Sequence, residues 1–416
     1  MMAAMRRWLD AIGIAVGVAM LGFLALSPDR GWIACLGIAA ALAMVAAGRG
    51  SLRGIPAPWA IVLLGAMPLV ALAVTPLPAV GRAQMWLLWG SIGAFCLICV
   101  WARTRERLLW IGAGLAGAGA MLSLASPFAV NWIIERKTFV PPAVYEVFPR
   151  LVSDPIHPNV MASLMVGLMF VPLAWAISPP VFGAAPRWLS RLMSSRPVWA
   201  VAVFLPALVL FLTKSRGGYA AAAVGLVLIA LLMIRRRRWF LWILLGGLAV
   251  GIAAILWWPG GLPISELSEV EALGVDTIAF RQRVWQYALF LIGDFPFTGV
   301  GMRAFNDVLF SIYGYQAVRD PGAHNVFLQI ALDLGIPGLL AFVALAATVL
   351  ARAARAYSAL RRAGDSLWVL AAGGIAGVAA TLAQGLVDIA AWGTRGSFVL
   401  WCLLGMLAAL AHCLED

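Results

Sequence analysis

Only three histidines occur in this 416-residue chain. One of them, His324, stands at the mouth of a long apolar stretch in the run Ala323-His324-Asn325-Val326-Phe327-Leu328-Gln329-Ile330-Ala331-Leu332-Asp333-Leu334-Gly335. Imidazole is the side chain that exchanges a proton near neutral pH. At a helix N-terminus the macrodipole disfavours the charged ring, and a neutral ring accepts a proton from a hydroxyl where a charged one does not. Asp320-Pro321-Gly322 breaks the chain just before this position. A histidine that merely caps the helix fits the same place. His157, in Ser153-Asp154-Pro155-Ile156-His157-Pro158-Asn159, opens another apolar segment, and its flanking prolines favour a rigid helix start over chemistry. His412 falls near the opposite end of the last apolar run and is set aside.

Cations accompany His324. Thr213-Lys214-Ser215-Arg216-Gly217-Gly218-Tyr219 interrupts two apolar runs, and its glycines let a ligand or another backbone come close. In Phe280-Arg281-Gln282-Arg283-Val284-Trp285, a helix puts Arg281 on a face with Trp285, Ala288 and Ile292, with Arg283 about 200° around the axis. Only one of these two arginines is therefore expected to face a pocket. Arg303 follows the turn-rich Gly293 to Gly301. Guanidinium forks suit phosphate oxygens, whether those of a substrate or those of lipid headgroups. The sequence has neither an Asp-x-Asp pair nor a His/Cys/acid cluster with zinc spacing. Glu266, Glu269 and Glu271 read as a solvated loop face. No metal or other cofactor is expected, and arginine is left to meet the charge of a phosphate.

The elements that must hold these groups are membrane helices. With 63% hydrophobic and 12% charged residues and a mean hydropathy of +0.95, the chain is far from a soluble domain, where about a quarter of residues are charged. Its net charge of +12 lies mostly on arginines in short loops, which points away from nucleic acid as a partner. Apolar runs long enough to cross roughly 30 Å of hydrocarbon occur at 9–26, 31–48, 57–75, 83–101, 107–126, 156–177, 197–213, 217–234, 239–257, 325–351, 366–388 and 396–413. The fold class is an all-α polytopic membrane protein of about twelve transmembrane helices, a single domain over 1–416.

Arginine clusters mark alternate loops: Arg6 and Arg7, Arg49 to Arg53, Arg103 to Arg107, Arg187 to Arg196, Arg235 to Arg238, and Arg352 to Arg362. The positive-inside rule makes these cytoplasmic, together with both termini. The first run, after Arg6 and Arg7, lacks a cleavage site and is expected to stay as a span. Segments 127–155 and 258–323 then lie outside, and the aromatics of the second predict short helices on the membrane surface. Cys35, Cys96, Cys99, Cys402 and Cys413 sit in or beside apolar runs and read as packing residues. A transporter would place ionisable groups near the midplane. Here they gather at the outer interface, and Asp388 is the one acid expected well inside a late span.

Ser215-Arg216-Gly217-Gly218 between two spans, Arg281 four residues before Trp285, Pro296-Phe297-Thr298-Gly299-Val300-Gly301 with Phe305, and His324-Asn325 with Leu328 and Gly335 together resemble the O-antigen ligase and O-antigen polymerase superfamily. The resemblance covers about 197–345, and the twelve-span layout extends it over the chain. It implies a GT-C-type, metal-independent, inverting membrane glycosyltransferase of the bacterial inner membrane, with 258–323 as a large periplasmic loop and a periplasmic active site. The implied donor is a glycan on undecaprenyl pyrophosphate. The implied acceptor is lipid A-core for a ligase, another repeat unit for a polymerase, or a protein side chain for an oligosaccharyltransferase. Arg216 and Arg281 match the family's pyrophosphate-binding arginines and His324 its essential histidine. Lys214, Arg283, Arg303, Asn325 and His157 are left as supporting candidates.

Overall fold

A computed structural model describes residues 54–132, 155–183, 185–233, 278–314 and 322–413. The described residues form helices α1 (Pro58–Val74), α2 (Pro78–Trp101), α3 (Arg105–Ala129), α4 (Pro158–Ile177), α5 (Arg187–Met193), α6 (Arg196–Leu212), α7 (Arg216–Met233), α8 (Ile278–Asp294), α9 (Phe305–Tyr313), α10 (Val326–Ala363), α11 (Leu367–Gln384) and α12 (Ser397–His412). Nine of the expected apolar segments fall on these helices, while 9–26, 31–48 and 239–257 lie outside the described residues. So do Arg6, Arg7, Arg49 to Arg53, Arg235 to Arg238, Cys35, residues 133–154 of the first long loop, and 258–277 and 315–321 of the second. Helices α2, α3, α4, α7, α10 and α11 are long and apolar enough to cross a membrane, and α5 with α6, bent by 54° between them, pass the same test as a pair. α1 and α12 are shorter apolar helices.

Local chemistry sets the helix starts. Proline stands in the first turn of α1, α2, α4 and α6, where its missing N–H has no intrahelical partner to lose. Successive helices then run in opposite directions between two ends. One end holds His412, whose Nε2 lies 2.9 Å from Arg103 Nη2. There Arg105 pairs with Asp365 at 2.5 Å, and Arg361 Nη1 donates to Leu232 O at 2.6 Å. The other end holds His324. At the centre, α4 and α11 lie almost in backbone contact, since a Cβ on Gly377 would stand 3.0 Å from Gly167 O. Such small-residue contacts hold helices together where lipid gives apolar side chains no reason to associate.

Two expected loops turn out to be helical. Arg352 to Arg362 is the last part of α10, and Arg187 to Arg196 contains α5. Alanine and arginine are strong helix formers, and beyond Gly338 α10 meets no further breaker until Gly364, whose φ of 71° ends it in a left-handed cap. The expected span 366–388 ends earlier, at Gln384, so Asp388 lies in the connector between α11 and α12, outside any helix.

The decisive break is inside α10. Gly335 has φ 71° and ψ 176°, which splits the helix into Val326–Leu334 and a longer stretch beginning at Ile336. The turn after α8 crosses at this kink: Val300 N donates to Leu332 O and Ile336 N to Pro296 O, both at 2.7 Å. Gly299, with φ 67°, lies so close that an added Cβ would meet Leu332 O at 2.4 Å, and one on Gly335 would meet Phe297 O at 2.4 Å.

Gly335→Ala combines a disfavoured φ with that collision, so it is expected to destabilise the protein by more than about 2 kcal/mol in detergent thermal melts. At the other end, burial raises the Asp365 carboxyl, but the Leu367 N–H and Arg105 outweigh it and hold the group below its ordinary value. Its stabilisation is therefore full above the ordinary carboxylate range and is lost as pH falls through the lowered value. Asp365→Asn is expected to remove no more than about 1 kcal/mol near neutral pH, and to narrow its gap to the parent in melts at progressively lower pH.

Candidate functional site

His324 is 6% exposed and has a φ of 48°. A left-handed backbone on a residue with a Cβ costs about 1–3 kcal/mol and persists only where its surroundings enforce it. Here they do so from both sides. Ala323 N donates to Gln329 Oε1 at 2.8 Å, and Val326 N donates to Gly385 O at 2.6 Å. The helix cap is Asn325, whose Oδ1 accepts from Phe327 N at 2.9 Å and Leu328 N at 3.1 Å. Its Nδ2 donates to Leu386 O at 3.0 Å. Capping therefore belongs to the neighbour, and His324 stands one residue before the cap.

A buried carboxylate ties this region together. Asp333 Oδ1 accepts from Gln329 Nε2 at 2.8 Å and from Arg303 N at 3.0 Å, and Oδ2 accepts from Trp392 Nε1 at 2.9 Å. Three separate stretches, before α9, at the start of α10 and after α11, thus meet on one side chain. Arg303 reaches it through its backbone, with a φ of 58°.

The connector after α11 is the common wall of the site. Asp388 is 8% exposed, and its Oδ1 accepts from Ala390 N at 3.0 Å. Burial pushes this carboxyl above its ordinary value, against the opposing pull of His324, Arg281, the Ala390 N–H and His157. These three side chains from α10's approach, α8 and α4 therefore act on one acid. Sequence reading had placed Asp388 inside a span, and only its position four residues after Gln384 and four before Trp392 hinted at a polar turn.

The remaining candidates are distributed around the same wall. Arg216 is exposed at the first position of α7, where Ser215 Oγ accepts from Gly218 N at 3.2 Å. A Cβ on Gly217 would touch Val387 at 3.1 Å, which sets this turn directly beside the Asp388 connector. Lys214 is half-buried with a φ of 50° in the same turn. Arg281 is half-buried on the α8 face that buries Val284, Ala288 and Leu291, whereas Arg283 is exposed. His157 caps α4, its Nδ1 accepting from Asn159 N at 3.2 Å, and an imidazole nitrogen that accepts carries no proton of its own. His324, Arg281 and His157 thus share electrostatic reach of Asp388, with Arg216 and Lys214 on the adjoining turn, Asn325 bonded to the connector, Arg303 on Asp333 and Arg283 exposed. Among the described residues, no three His, Cys, Asp or Glu side chains stand close enough to share a metal ion.

Fold and site together define a polytopic helical membrane protein with a cationic, histidine-bearing cluster at one end of its bundle. A family model described as O-Antigen ligase matches residues 201–343, the stretch holding Arg216, Arg281, Gly299, His324 and Gly335. The match supports membership of the O-antigen ligase and polymerase superfamily, whose members are glycosyltransferase-like enzymes acting on glycan and lipid-linked substrates. No curated protein matches the chain.

Asn325→Ala removes a cap and a tie to the connector, so a loss of about 1–2 kcal/mol is expected in thermal melts. Asn325→Asp keeps the capping oxygen but not the donor to Leu386 O, and should recover only part of that loss.

Proposed function

We propose that the chain transfers a glycan from undecaprenyl pyrophosphate to an acceptor hydroxyl at the periplasmic face of the bacterial inner membrane, and that lipid A-core is the acceptor. The observation that carries this reading is that His324 and Arg281 both lie within electrostatic reach of Asp388, with Arg216 on the turn that adjoins its connector. The arginine-rich end, with Arg103, Arg105, Arg107, Arg352, Arg355, Arg361 and Arg362, is then cytoplasmic by the positive-inside rule, and the His324 end periplasmic.

The chemistry is a single displacement. His324 takes the proton of the acceptor hydroxyl as its oxygen attacks the anomeric carbon; the carbon–oxygen bond to pyrophosphate breaks with inversion, and the electron pair leaves with the phosphate. Arg216 and Arg281 meet the charge that grows on the departing pyrophosphate, which is where fixed cations help most. That group leaves already ionised and needs no general acid, in keeping with the metal-independent transfer that the family resemblance implies. Asp388 favours the imidazolium formed at His324, so base and leaving-group sites share one acid between them. Lys214 and His157 border the site, and Arg303 acts through Asp333.

Purified protein given lipid-linked glycan and lipid A-core is expected to form the joined product. Chain growth from lipid-linked repeats alone would instead make the protein a polymerase. His324→Ala should lower transfer by about 10²–10⁴-fold and Arg281→Ala by about 10²–10³-fold, in each case with intact melting behaviour. Arg283→Ala, on the exposed face of α8, should stay within about threefold of the parent, a change of well under 1 kcal/mol. Full activity in His324→Ala would defeat the assignment of the base.

A further inference from the structure

We propose that Phe297 enters the lipid leaflet on the His324 side and moors the α8–α9 layer to the bilayer. Among the described residues Phe297 is the most exposed large apolar side chain, at 74%. Exposure of this kind on a loose loop would carry little meaning, but this residue is fixed. Its carbonyl lies against Gly335, the preceding carbonyl accepts from Ile336 N at 2.7 Å, and Gly299 N donates to Phe295 O at 3.1 Å.

What Phe297 abuts identifies its partner. From Ile336 onward, α10 carries an exposed apolar stripe of Ile336, Leu340 and Val343. These residues lie four and three apart, on one face of a helix with the length and composition of a membrane crossing. An exposed apolar stripe on such a helix faces hydrocarbon. Phe297 stands at the head of that stripe, its carbonyl against Gly335, the residue just above it, so the turn after α8 adjoins the top of the span's exposed apolar face. Leu289, Phe290, Phe310 and Ile312 extend exposed apolar surface along α8 and α9, and the Phe290 and Tyr313 rings pack edge to face at 5.0 Å, joining the two helices there. Arg283, exposed on the same helix as Phe290, suits the phosphate layer above the chains. A protein partner would not need this surface to run on into a lipid-facing stripe, whereas outer-leaflet lipid requires it.

Mooring has a consequence that rests on the transferase reading above. α8 carries Arg281, so a fixed height for Phe297 fixes Arg281 at headgroup level, where the pyrophosphate of a membrane-bound donor resides.

The test is a Phe297→Cys protein carrying an environment-sensitive NBD label, reconstituted in vesicles of phosphatidylethanolamine and phosphatidylglycerol, with the identically treated parent subtracted for native thiols. Expected are blue-shifted emission and quenching by nitroxides placed high on the lipid chains, without quenching by aqueous iodide. Water-like emission with iodide quenching would overturn the proposal whatever the enzymatic activity. In the same vesicles, Phe297→Asp should raise KM for the lipid-linked donor about tenfold, or 1.4 kcal/mol, with kcat little changed, while Phe297→Leu stays near the parent. A quenched label with an unmoved KM overturns the tie to the donor. A quenched label on a protein with no transferase activity upholds the mooring and sinks the transferase reading.

Discussion

Everything at the His324 end depends on two stretches of backbone crossing without side chains between them. Gly299 and Gly335 approach so closely that neither has room for a Cβ. Because Gly335 adopts a φ of 71°, α10 changes direction there, and its first part, Val326–Leu334, is released from the axis of the span below it. That short stretch is what presents His324, Gln329 and Asp333 to the rest of the site. Any residue with a β-carbon at the crossing would separate α8 from α10 and so part Arg281 from His324.

Asp333 completes what the crossing begins. A carboxylate in such surroundings is tolerated only when its lone pairs are occupied, and here two side-chain N–H groups and one backbone N–H occupy them. Its partners belong to three segments far apart in sequence, so breaking the node would loosen the turn before α9, the approach to His324 and the connector holding Asp388 together. The chemistry assigned to His324 and the arginines is thus supported by a residue that need not touch a substrate.

Reading residues in order exposed some of this and hid the rest for definite reasons. Apolar run length located nine of the twelve described helices, because hydrocarbon thickness leaves little freedom in span length. It misjudged where α10 and α11 end: hydropathy registers the edge of the apolar region, whereas helices stop at breakers such as Gly364 or at turns such as the one after Gln384. Histidine was conspicuous by scarcity, and Arg216 by its position next to a glycine pair. Asp388 was not, since an acid at the edge of an apolar run looks like a residue inside it, and its meaning comes from α4, α8 and α10 converging on it in space. The assignment of the cap to Asn325 was equally hidden, for a histidine followed by asparagine offers two adjacent candidates and only backbone geometry separates them.

The straight part of α10 runs from Ile336 to Ala363. At 1.5 Å per residue this is roughly 40 Å of helix, against roughly 30 Å of hydrocarbon. Its last turns carry Arg355, Arg361 and Arg362. Drawing them into lipid is costly, so the rod is stopped from sliding toward the His324 side. The arginines at its foot therefore act as a keel, and through Gly335 they help to set the level at which the His324 end of the molecule floats.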